Sequence, residues 1–330
     1  MSHPTERPQQ PYDPALADLP PVEAPSAGFI VQLFVIPAVI VAVVIVVWLL
    51  FGKLAGGERD AMEYVRLLRS PNAHWRAAYE LASLIQNDPK LANDPKLLGE
   101  LTDLLAHDLD LEESPELTQY VTLTLGAFQT LDAQSADGRN VDPLATLARA
   151  LAPKQPPQVR LAAAISLAKH AARLDEHLED PGAIKALEVA SEDENQELRQ
   201  AAVYALGFFG GDQATRVLRD RLKDVDCYVR YNTAIALGRR GDSESQGVFR
   251  EMLSSTDLNK IITLASPSEK HSKIEAIELE ALQSLQHSVD RKSPGLAGSL
   301  RPEISTLTKS GLVSVRNSAQ SLLKSLPNTP

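Results

Sequence analysis

The sequence predicts an all-α protein: an α-solenoid of about seven helical hairpins, preceded by one transmembrane helix and a disordered N-terminal tail. Three observations carry this. Of the 330 residues, 44% are hydrophobic but only 5% aromatic, and the apolar content is rich in Ala and Leu, a mix that suits helices better than sheets. One long apolar run carries no charge. Beyond it, a short pattern of an apolar residue, Arg, Ala, Leu and Gly recurs to the end of the chain.

The first element, residues 1–27, holds seven prolines (Pro4, Pro8, Pro11, Pro14, Pro20, Pro21 and Pro25) and few large apolar side chains. Such a segment buries too little surface to offset its ordering entropy, so it reads as a disordered tail with polyproline character. Pro8-Gln9-Gln10-Pro11 and Pro11-Tyr12-Asp13-Pro14 match PxxP. Such matches are common in any proline-rich stretch, which favours a plain tail over a docking peptide.

Residues 28–52 form the second element. No charge lies between Glu23 and Lys53, and Phe29–Phe51 is a 23-residue apolar run broken only by Gln32 and Pro37. A helix of that length spans roughly 35 Å, enough for a hydrocarbon core of about 30 Å. Its 18 Val, Ile, Leu and Phe residues contribute on the order of −5 to −11 kcal/mol to insertion. Pro37 is tolerated in lipid, and Trp48 and Lys53 stand where an interfacial anchor and a snorkelling cation belong. The run is too long for a signal peptide and lacks its upstream basic residues and cleavage site. Arg7 is the only basic residue before it, whereas Lys53, Arg59, Arg66 and Arg69 follow closely. The charge rule therefore places the C-terminal part in the cytoplasm and the short tail outside. Membrane lipid is the expected surrounding of residues 29–51. Ala38 and Ala42 make one small-xxx-small pair, too little to argue a dimer.

A short linker, 53–57, leads to the repeats at 58–326 and a terminal tail at 327–330. Residues 53–330 hold 32 basic and 39 acidic residues. Leu198-Arg199-Gln200-Ala201-Ala202-Val203-Tyr204-Ala205-Leu206-Gly207 aligns with Val229-Arg230-Tyr231-Asn232-Thr233-Ala234-Ile235-Ala236-Leu237-Gly238 at an offset of 31, which Gly210 and Gly241 share. Looser copies start at Trp75-Arg76, Val159-Arg160 and Val315-Arg316. Thr118 and Lys273 lie at the midpoints of the two wide gaps, completing seven units. Each unit reads as two helices. In the fifth, Asp212 would cap a helix through Ala214, Val217, Leu218 and Leu222. Asp224–Asp226 would turn the chain, a second helix would run from Tyr228 to Arg239, and Gly241 would end it in the left-handed region. No alternating apolar run of strand length occurs. Ser254–Lys273 exceeds a repeat turn and reads as an inserted loop.

This pattern resembles the HEAT repeats, and most closely the short variety named after phycobilisome (PBS) lyases. The resemblance covers about 58–326, strongest over 180–242, fair over 58–86 and 141–174, and weaker over 94–130 and 243–290. It implies a right-handed α-solenoid in which the recurring Arg pairs with an acid of the turn: Arg199 with an acid of Glu192–Glu194, and Arg230 with Asp224 or Asp226. Arg76, Arg160, Arg199, Arg230 and Arg316 are thus structural repeat positions rather than an anion site, since a residue repeated in every unit serves packing.

Little chemistry is visible. The seven histidines form neither HExxH nor a close metal pair with Cys227, the single cysteine, which also excludes an internal disulfide. Deoxyhypusine hydroxylase, another protein with HEAT-like repeats, binds iron through His-Glu dipeptides, of which this chain has none. GxSxG, GxGxxG and phosphate-loop motifs are absent. The acidic stretch Asp108–Glu113 lacks the glycine of a calcium loop, and a loop around Asp137-Gly138 would place Ala133 and Leu144 at ligand positions. His177 reads as a surface histidine and Cys227 as a small filler in a turn. No catalytic residue, cofactor or metal is expected. A net charge of −10 argues against a general nucleic-acid binder.

Phe208, Phe209, Tyr228 and Tyr231 cluster across the fourth and fifth units. They are either core between repeats or part of a partner-binding groove, because aromatics concentrate at hot spots. The leading expectation is a membrane-anchored scaffold or adaptor whose partner lies near the bilayer and, from the acidic balance, carries a basic patch. The alternatives are an enzyme by analogy with bilin lyases, which rests on resemblance alone, and an accessory subunit of a larger membrane complex.

Overall fold

In a computed structural model, residues 41–47, 60–71, 73–111 and 114–327 are described. The chain divides into two compact units, 1–59 and 60–330. In the first, only 41–47 is described, as helix with exposed side chains. The rest of the expected transmembrane segment 28–52, the tail 1–27, the linker 53–57 and the last three residues lie outside the described residues. Among those described, no helix is long and apolar enough to cross a membrane.

The second unit is a stack of helical hairpins. Its helices are α1 (Ala61–Leu68), α2 (Trp75–Asn87), α3 (Pro89–Ala92), α4 (Pro95–Leu111), α5 (Pro115–Leu125), α6 (Pro143–Ala150), α7 (Pro157–Arg173), α8 (Pro181–Ala190) and α9 (Gln196–Leu206). They continue as α10 (Gly211–Arg221), α11 (Cys227–Arg239), α12 (Gln246–Met252), α13 (Ser255–Ile261), α14 (Pro267–Asp290), α15 (Gly295–Ser299), α16 (Arg301–Leu307) and α17 (Val313–Ser325). The second helices of the hairpins, α2, α5, α7, α9, α11, α14 and α17, pack in one continuous row, each on the next. First helices α1, α4, α6, α8 and α10 form a parallel row outside it. That is an all-helical repeat solenoid of seven hairpins. Among the described residues the only β feature is an isolated bridge, Gln134 to Asn140.

Local chemistry sets the helix starts. Asp88, Ser114, Asp142, Asp180 and Ser266 each accept a main-chain N–H of the first turn, and each is followed by a proline at the first helical position. The cap satisfies a donor that the helix cannot, and proline surrenders one that would be unpaired. Serine and threonine then stitch neighbouring second helices. Ser166 Oγ donates to Thr122 O at 2.8 Å and Ser284 Oγ to Ile235 O at 2.7 Å. Small residues allow that approach: a Cβ on Gly126 would lie 2.6 Å from Ser166 Oγ.

Three expectations need correcting. Asp212 sits in the first turn of α10 rather than at its cap, which is Gly210. The reason is a loop, Leu174–Glu179, that packs on this turn: Gly210 N–H donates to Leu178 O at 3.0 Å, and Gly211 takes φ +81°. The segment 254–273 is not a loop. It folds as α13, which buries Leu258, and as the first turns of α14, a 24-residue helix. Helix α11 begins at Cys227, one residue early, because Asp226 caps it through Val229 N–H. Gly241 does adopt φ +72° at the end of that unit.

The core is not one body. One cluster runs from Ala61 to Leu237 and a second from Tyr231 to Leu326. They meet along α11, where Val229, Ala236 and Leu237 belong to the first, and Tyr231 and Ala234 to the second.

Candidate protein-binding groove

Four of the recurring arginines, Arg160, Arg199, Arg230 and Arg316, occupy the fourth position of their helices, each just after a buried apolar residue. Their hydrogen bonds repeat too. Arg199 Nη1 donates to Asp193 O and Glu194 O, and Arg230 Nη1 to Asp224 O and Val225 O. Arg316 Nη1 reaches Ser310 O at 2.7 Å. The longer turn before α7 gives Arg160 Nε a more distant carbonyl, Leu151 O, at 3.1 Å. The carboxylate partner comes from one repeat further on. Arg160 pairs with Asp193 at 2.7 Å, Arg199 with Asp224 at 3.0 Å and Arg230 with Glu251 at 2.8 Å. An arginine thus holds its own turn by main-chain oxygens and the next repeat by a carboxylate, instead of an acid of its own turn as expected. Arg76 stands apart: it is exposed, with its guanidinium 5.7 Å from the Trp75 ring centroid.

The four aromatics separate into two environments. Phe209 and Tyr231 are buried, one in each core cluster. Tyr231 donates its hydroxyl to Glu251 Oε1 at 2.6 Å, and burial together with that carboxylate pushes its pKa up. Tyr228 lies against Tyr231 edge-on, with Lys273 Nζ 4.7 Å from its ring centroid. Phe208 faces elsewhere. It meets Tyr204 edge-on at 5.0 Å, and the Arg239 guanidinium stacks 4.9 Å from its centroid.

Phe208 lines a groove of about 300 Å³ between α9, α11 and α14, with Tyr204, Asn232, Ile235, Arg239 and Glu280. Tyr204, Arg239 and Glu280 were not singled out from the sequence. The signal was in the repeat register: Ile165, Tyr204 and Ile235 each fall five residues after a recurring arginine. Ile165 and Tyr204 are 38% and 53% exposed. Helical spacing alone cannot tell which side of a second helix its neighbours leave open.

At one end of the groove the loop Leu174–Glu179 reaches across to later repeats. Arg291 donates to Glu176 at 2.8 Å and to Asp175 at 3.2 Å, partners 115 and 116 positions away. Asp175 and Glu176 both take positive φ. Arg240 donates to Phe209 O at 2.5 Å and sits 3.8 Å from Glu176. Burial pushes the Arg239 pKa down, opposed by Glu176. The Cys227 thiol is pushed up by burial, so it is a poor nucleophile. His177 is exposed and contacts Leu174 O and Asp175 O. Among the described residues no group of three His, Cys, Asp or Glu is placed to hold a metal ion.

The HEAT repeat family model matches residues 144–226, from the start of α6, the first helix of the third hairpin, to the turn before α11. Among solved structures, a designed armadillo repeat protein is similar at 16% identity, covering 81% of this chain and 100% of that one, with a TM-score of 0.37. A chain of the Pds5–Scc1 complex is similar at 12% identity, over 80% of this chain and 49% of that one, with a TM-score of 0.41. Human deoxyhypusine hydroxylase is similar at 14% identity, over 83% of this chain and 98% of that one, with a TM-score of 0.29. These likenesses go no further than the stacking of paired helices. No curated protein matches the chain.

Proposed function

We propose that this chain is a membrane-anchored helical-repeat scaffold that binds another protein along its row of second helices. The observation that carries the reading is the groove at Tyr204 and Phe208, with Ile165 and Tyr204 exposed at the same register position of neighbouring second helices. Aromatic side chains held on rigid helices offer large contact area at small entropic cost, and extended repeat surfaces are suited to long partners. The anchor rests on the Phe29–Phe51 run, and a cytoplasmic repeat domain rests on the basic residues that follow it.

A photo-crosslinking amino acid at Tyr204, compared with one at Val189 on the outer helix α8, tests the surface in the full chain. The expected result is a discrete crosslinked protein from position 204 and none from 189. Equal labelling from both positions would refute the assignment. Protease added to intact cells, with a tag after Pro330, tests the orientation: a shielded tag is expected, and removal of the tag would reverse it.

A further inference from the structure

We propose that the groove between α9, α11 and α14 accepts an acidic, apolar segment of the partner, placing one carboxylate on Arg239 and an adjacent apolar side chain against Tyr204 and Phe208. This deepens the scaffold reading and rests on it.

Arg239 differs from the arginines of the array that carry an acid, and from Arg173 and Arg316, which lack an acid but donate to main-chain oxygens. Arg160, Arg199, Arg230 and Arg240 each have a carboxylate within 4.0 Å. Arg239 has none among the described residues, and its buried Nε has no hydrogen-bond partner there. Glu176, the acid whose charge acts on Arg239, is engaged by Arg291 at 2.8 Å. What holds Arg239 in place is the face of Phe208. A guanidinium stacked through its face keeps its edge donors for a planar acceptor, and a carboxylate takes them in pairs. A partly buried charge without an acid gains more from such an acceptor than an exposed one would.

The rest of the groove completes the specificity. Tyr204, Phe208 and Ile235 supply apolar walls beside the guanidinium. Glu280, exposed on the α14 wall, repels a second acid and so sets the direction in which an acidic segment lies. The groove thus carries one cation and one anion, and the place of Arg239 within it, rather than the net charge of the chain, selects the partner.

The test uses the full-length chain in detergent micelles and a phage-displayed library of short random peptides. Recovered peptides are expected to share an Asp or Glu within one turn of Leu or Phe. Their fluorescence-anisotropy affinity should fall about tenfold or more in R239Q and in F208A. R239K, which keeps the charge but not the planar face, should fall between. E280Q should gain affinity for peptides with a second acid, and it keeps the result readable should R239Q fail to fold. Circular dichroism melts check each variant. Peptides that bind R239Q as tightly as the parent would overturn the carboxylate assignment and leave the scaffold reading standing. Recovery of no peptide, with none crosslinked at position 204, would overturn both. Binding of phosphatidylserine vesicles in place of any peptide, lost in R239Q, would also refute the proposal by making the occupant a lipid headgroup.

Discussion

Asp224 serves two arginines, its side chain accepting from Arg199 and its main-chain oxygen from Arg230. Removing the carboxylate with D224A leaves Arg199 buried with main-chain partners only, and should cost about 3 kcal/mol in urea denaturation. R199K should cost nearly as much, because an ammonium cannot span Asp224 and two carbonyls at once. A different residue sets the pH response. His170 is buried, with Nε2 3.0 Å from Leu125 O, and burial depresses its pKa from 6.5 to about 4. The folded chain then binds fewer protons than the unfolded one. This stability is complete above pH 6.5 and is lost as pH falls towards 4. Between pH 7 and pH 5 the loss is about 2 kcal/mol. H170Q keeps a donor for Leu125 O but does not titrate, so its denaturation free energy should fall by less over the same interval.

Glycines sort the helices by how closely their neighbours approach. In α4, a Cβ on Gly99 would lie 2.0 Å from the main-chain oxygen of Gln134, which cannot rotate away. G99A should destabilise by about 2–4 kcal/mol. In α12, a Cβ on Gly247 meets nothing within 4 Å, so G247A should stabilise by roughly 0.5–1 kcal/mol through helix propensity. Thermal melts of the two variants should shift in opposite directions. The hairpin order and the recurring arginines were legible in the sequence, because spacing and local apolar pattern are what a repeat conserves within itself. The carboxylate partners of Arg199 and Arg230 were not, since they come from the next repeat and depend on how hairpins stack. Asp212 misled for the same kind of reason. Its capping chemistry is sound, but the Leu174–Glu179 loop pins Gly210 and starts α10 early. Helix α13 escaped notice because seven residues give too few apolar positions to show a period. Phe208 was legible as an aromatic, whereas its stacking with Arg239 needed two helices brought together.

Across the whole molecule, the division of the core along α11 predicts unfolding in more than one step. Repeat arrays are held by neighbour contacts, so a change of core is a weak point in cooperativity. Hydrogen exchange in urea should protect α2 to α9 and α14 to α17 as two blocks with different opening free energies. A single opening free energy throughout would show that α11 couples them fully. The Arg291 contacts with Asp175 and Glu176 cross from one block to the other. Arg291 and Asp175 are exposed and only Glu176 is half-buried, so R291Q should cost about 1 kcal/mol overall, yet it should widen the gap between the two blocks. The groove straddles the same line: Tyr204 and Phe208 belong with the first block, Glu280 with the second, and Arg239 lies on α11 between them. An occupant would therefore act as a splint across a joint. Flexing the array would loosen its grip, and gripping would stiffen the array by the same factor, which makes the solenoid a strain gauge for whatever it holds.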